Sequence, residues 1–241
     1  MPRAHVPTAI AALLTLAVWS ALAALGPRSA IDQRLAPVRP AAAAPGPSCW
    51  WDRIPELTIS TRPDDARIRL VHDGVAFWNR LLAEIGTPFK LGPIAETSQA
   101  LPDDYLARLS DSIVGPPRQN PLDDPGELRQ LPGDLIVALS ATPLVSFSTC
   151  PRPGRRVLVG IRTDRIPPLS LPNVARNVIA HELGHAIGLG HNSDPRMLMC
   201  GRPAPCRPNE FVSQTERYFP VADAEKAYLL QLYPSSWKPS R

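Results

Sequence analysis

The chain reads as an α+β protein, and three observations predict it. Two long stretches carry apolar residues at steps of three and four. Short aliphatic runs precede the second stretch. Proline is dense between them. The order is strand, helix, strands, helix, loop, helix. It predicts an α+β domain with the second long helix following the sheet.

Leu57-Thr58-Ile59 is the expected first strand. Pro63-Asp64-Asp65 signals a helix start, with acids near the positive helix end. Ile68, Val71, Val75, Trp78, Leu81, Leu82 and Ile85 then mark one face of a helix over 66–85, closed by Gly86. Phe89-Lys90-Leu91 is the candidate second strand. Residues 93–133 read as loop, with one short helix from Asp103 to Ser112. Asp134–Leu139 (DLIVAL) and Arg156–Ile161 (RVLVGI) predict strands, with Leu144–Phe147 a weaker one between them. Asn173 opens the second long helix, which holds Val174, Val178, His181 and His185 and ends at Gly188 and Gly190. Val221–Leu232 is the third helix, stopped by Pro234.

The 241 residues carry a net charge of +4 without a run of Lys or Arg, which argues against nucleic acid. Arg3 and His5 precede an uncharged apolar run, Thr8–Leu25. Residues 1–26 therefore read as a signal peptide, with cleavage after Ala23, or as a retained membrane anchor. Residues 27–48 form a Pro/Ala-rich linker, 49–233 the main domain and 234–241 a tail. Export makes disulfides available to the four cysteines, Cys49, Cys150, Cys200 and Cys206. Three pairings exist. The sequence-local one, Cys200–Cys206, leaves Cys49–Cys150 as its complement.

Chemistry concentrates in His181-Glu182-Leu183-Gly184-His185-Ala186-Ile187-Gly188-Leu189-Gly190-His191. Histidines four apart on a helix lie one turn apart on nearly the same face, so both imidazoles reach one ion. Gly188 permits the backbone to leave the helix, which lets His191 point back as a third ligand. Three protein ligands plus one open position make a catalytic zinc site. Glu182 is rotated away from the ligands and is placed to take a proton from zinc-bound water as it attacks a peptide carbonyl.

The pattern HExxHxxGxxH resembles the metzincin zinc proteases, and His191-Asn192-Ser193-Asp194-Pro195-Arg196-Met197-Leu198-Met199 resembles their matrixin branch. The likeness is close over 173–199 and loose over 49–233. It implies a zincin fold, with a twisted, mostly parallel sheet, an active-site helix and a small C-terminal subdomain, and a zinc endopeptidase with ligands His181, His185 and His191, base Glu182 and a structural turn methionine at Met199. It also implies a monomer acting on extracellular proteins or peptides. An edge strand, here Leu144–Phe147, would pair with substrate. The family's propeptide cysteine motif is absent around Cys49, and no tyrosine follows two residues after Met199.

Several other readings compete. A secreted zinc-binding module without activity is the alternative function. Glu210 or Glu216 would be the third ligand in another zinc-protease class. Asp103-Asp104 and Asp123-Asp124 are candidate calcium ligands, with helix-cap or loop roles as the alternative. His72 is expected to be structural, Trp78 to lie in the core, and Trp50 and Trp51 to pack at the domain start.

Overall fold

Five strands form one sheet: β1 (Leu57–Ser60), β2 (Ile94–Thr97), β3 (Leu135–Leu139), β4 (Phe147–Ser148) and β5 (Val157–Ile161). Their spatial order is β2-β1-β3-β5-β4. All pairs are parallel except β4 with β5, which run antiparallel. The helices are α1 (Arg67–Glu84), α2 (Asp103–Val114), α3 (Gly126–Gln130), α4 (Pro172–Ala186) and α5 (Asp223–Leu232). This computed structural model describes residues 49–115, 124–151, 155–201 and 216–240. The expected export segment, the linker, Asp123, Cys206 and Glu210 lie outside them.

The alternation of the strands decides where the helices sit. Leu135, Val137 and Leu139 of β3, with Val157, Val159 and Ile161 of β5, face a core shared with Val71, Val75 and Trp78 of α1 and Val174, Ile179 and Leu183 of α4. The intervening Ile136, Ala138 and Leu158 face a second cluster with Tyr105 and Leu106 of α2 and Leu128 of α3. Both faces of the central strands are covered, which is why DLIVAL and VLVGI are continuous apolar runs.

The main helices and the central strands match the sequence reading. Three segments differ. Phe89-Lys90-Leu91 is no strand, because the side-chain amide of Asn79 satisfies the backbone of Leu91: Leu91 N–H donates to Oδ1 at 2.8 Å and Asn79 Nδ2 donates to Leu91 O at 3.0 Å. The second strand is instead Ile94–Thr97, a half-exposed edge beside β1. The stretch 93–133 holds the expected short helix, as α2, and in addition β2 and α3, where loop was expected. Of Leu144–Phe147, only Phe147 enters a strand; Leu144 is buried as a core residue without strand pairing. Among the described residues, no helix is long and apolar enough to cross a membrane.

Candidate metal centre

The end of α4 is fastened by large side chains. A last helical turn leaves carbonyls without intrahelical donors. Trp51 Nε1 donates to Ala186 O at 2.8 Å, and the Tyr233 hydroxyl donates to Ile187 O at 3.0 Å. Farther back, Trp78 Nε1 donates to Ala180 O at 2.8 Å. Gly188 then takes a φ of 104°, a left-handed conformation that turns the chain out of the helix.

The turn brings three imidazoles together. His181 Nε2 lies 3.1 Å from His185 Nε2 and 3.2 Å from His191 Nε2, and the last two are 3.0 Å apart. The other ring nitrogens decide what these contacts mean. His181 Nδ1 is 2.8 Å from Leu198 O, and His185 Nδ1 is 2.7 Å from Leu189 O. A carbonyl only accepts, so each Nδ1 carries the proton and each Nε2 presents a lone pair. With both rings neutral, the two Nε2 atoms of α4 face each other with no proton between them. That arrangement repels unless a cation takes the lone pairs. Four ligands at about 2.0–2.1 Å around zinc stand about 3.3 Å apart, close to the spacings observed. The residues fit a zinc ion, and His181, His185 and His191 could hold it.

Protonation does not oppose binding. Burial lowers the His185 pKa to about 4, with the Leu189 carbonyl acting the other way and His191 adding to the depression. Burial also lowers that of His191. Both imidazoles are neutral near pH 7, the state that ligates metal.

Glu182 is 7% exposed, and burial raises its pKa to about 8. It lines the same cavity as the histidines, a cleft of about 840 Å³ whose walls include β4. Met199 is fully buried below α4, and Met197 is only partly buried. A Cβ added at Gly184 would stand 2.5 Å from Met199 Sδ, so the glycine is what lets the methionine approach.

The competing candidates lie elsewhere. Glu216 binds Arg176 at 2.9 Å. His72 pairs with Glu96 at 2.7 Å on the surface. Asp103 accepts from Ser140 Oγ, Ala141 N and Arg62, Asp104 pairs with Arg108, and Asp124 accepts from Tyr105. Trp78 and Trp51 are buried, and Trp50 packs on the core.

The sequence reading missed the groups that orient the histidines. The carbonyls of Leu189 and Leu198 carry no residue-type signal. Asn192, beside His191, donates from Nδ2 to Glu225 Oε1 of α5 at 2.5 Å. Cys49 and Cys150 form a disulfide that lines the cavity. No described cysteine is free.

No family model and no curated protein matches the chain. Similar solved structures include archaemetzincin from Methanopyrus kandleri, at 19% identity and a TM-score of 0.39, over 75% of this chain and 96% of that one. They also include metalloproteinase-II from Bacteroides fragilis, at 13% identity and a TM-score of 0.45, over 78% of this chain and 55% of that one. The chain thus spans about half of the second protein.

Proposed function

We propose that the chain is a zinc-dependent endopeptidase of the metzincin type, matrixin-like in its 173–199 segment. His181, His185 and His191 hold the metal and Glu182 moves the proton. The observation that carries this reading is the convergence of three imidazole Nε2 atoms within 3.2 Å of one another, with the Nδ1 atoms of His181 and His185 held against the Leu198 and Leu189 carbonyls. A zinc ion held there would supply a water of near-neutral pKa and a Lewis acid for a peptide carbonyl.

Glu182 does the acid–base work. Burial pushes its carboxyl up to about 8, and a neighbouring dication favours the carboxylate. Such a group accepts a proton and returns it to the leaving amine near neutral pH. Strand β4 pairs only with β5 among the described residues, which leaves an edge for an extended peptide to join as an added strand. A structural zinc site is closed by four protein ligands. Here three converge, among the described residues, at the wall of an open cleft, which supports catalysis over a silent module. The Cys49–Cys150 disulfide supports an oxidising, extracellular setting, and with it extracellular proteins or peptides as substrates.

The test uses the purified full chain. One zinc per chain should bind, chelation should stop cleavage of an unfolded protein, and added zinc should restore it. Glu182→Ala should keep the zinc and lose about 10²–10⁴-fold in rate. A wild type that binds no zinc, or a Glu182→Ala form that cuts as fast, sinks the reading.

A further inference from the structure

Among the described residues five large apolar side chains are exposed: Ile113, Val114, Val145, Ile166 and Tyr228. Scattered exposure of this kind is ordinary. Yet Ile113, Val114 and Val145 all line the cavity that holds the histidines. They come from two elements, the last turn of α2 and the segment entering β4. The Ser110 hydroxyl of α2, itself 1% exposed, donates to Val145 O at 2.8 Å and fastens the two together. Leu106, Leu144 and Phe147 fill the core behind them, so the surface is backed by packed side chains.

We propose that Ile113, Val114 and Val145 form a specificity wall that receives an apolar side chain of an extended peptide, at one fixed position relative to the cut bond. The proposal rests on the peptidase reading. Two observations choose the occupant. The wall adjoins the edge of β4 that has no strand beside it among the described residues, and a strand added there sends alternate side chains to one face. Apart from Glu182 and the three histidines, no ionisable side chain among the described residues lines the cavity. A charged substrate side chain would lose water there without gaining a partner. An aliphatic or aromatic one removes its own apolar surface, and that of the wall, from water.

The experiment compares the zinc-loaded full chain carrying Glu182→Ala with the same protein carrying Ile113→Ser, Val114→Ser and Val145→Ser in addition. The three positions are exposed, so the melting temperature should hardly move, and it is measured as the control on folding. Binding is read with a peptide mixture in which each position varies among Leu, Phe, Ser, Asp and Lys. The first protein should prefer Leu or Phe over Ser at one position by about tenfold, and the second should lose that preference. No positional preference, or one that survives the triple replacement, overturns the proposal. The same peptides are then offered to the wild type and to the triple variant with Glu182 intact. Selective binding without cleavage by the wild type sinks the peptidase reading and leaves the wall. Cleavage whose preference is the same in both sinks the wall and leaves the peptidase.

Discussion

Gly184 sits between the two helical histidines, at the point where α4 meets Met199 and Trp78. A Cβ there would stand 2.5 Å from Met199 Sδ and 2.9 Å from Trp78 Cζ2. Trp78 is held by its bond to Ala180 O and is fully buried, so it has no room to yield. The strain of Gly184→Ala falls on Met199, the neighbour of Leu198, whose carbonyl orients His181. Overpacking of this size costs about 1–3 kcal/mol. The substitution should lower the unfolding free energy by that amount, read as a lower urea midpoint, and weaken zinc binding in a chelator competition. An unchanged midpoint and unchanged zinc affinity would mean that the glycine serves neither packing nor the metal.

At the scale of elements, Arg67 pins the start of α1 to the end of β5 by hydrogen bonds to backbone carbonyls, and an ion pair with Asp65 holds its guanidinium in place. Arg67 is buried; its guanidinium donates to both oxygens of Asp65, at 2.9 and 2.6 Å, and to Arg162 O at 2.5 Å. Burial raises the Asp65 pKa, but hydrogen bonds and charge from Arg67 outweigh it and hold the carboxyl below its usual range. A depressed carboxyl stabilises the fold above the ordinary carboxylate range, and that contribution is lost as pH falls through the folded value. Asp65→Asn leaves the buried guanidinium with only the more distant carboxylate of Asp164, at 3.8 Å, and should cost up to about 3 kcal/mol near neutral pH. The gap between wild type and variant should narrow below about pH 4 in denaturant titrations. A gap that stays constant with pH would show that the carboxylate charge is not what holds Arg67.

The same scale shows where sequence patterns stop informing. The helices of 66–85 and 173–187 and the runs DLIVAL and RVLVGI announce themselves because burial imposes their periods. Those two runs also carried the signal of a sheet covered on both faces, since neither alternates. Phe89-Lys90-Leu91 has the alternation of a strand, with Phe89 and Leu91 buried and Lys90 exposed. Its backbone partner is nonetheless a side chain of α1, which no local pattern discloses. Edge strand Ile94–Thr97 is half exposed and polar, so it carried no apolar signature. The three converging imidazoles lie within eleven consecutive residues, and their convergence was legible; Asn192–Glu225 joins positions 33 apart in sequence and was not.

At the scale of the whole domain, the Cys49–Cys150 disulfide joins positions 101 apart, with Cα atoms 5.3 Å apart. One half lies against the turn at Gly188, where an added Cβ would overlap the Cys49 carbonyl oxygen. The other half stands two residues beyond β4. The bridge therefore ties the exit of the histidine helix to the edge strand, across the cleft that both cysteines line. Cross-linking so long a loop stabilises a fold by about 2–4 kcal/mol, mainly by restricting the unfolded chain. Replacing both cysteines by serine should lower stability by that amount. The three imidazoles and their orienting carbonyls all belong to residues 181–198 and do not depend on the bridge. Zinc content should therefore persist and kcat change little. KM should rise, because the edge proposed to receive the peptide is no longer held at a set distance from the three imidazoles. Steady-state kinetics with zinc measured on the same sample decide the matter. A fall in kcat accompanied by zinc loss would assign the bridge to the metal site and not to the substrate edge.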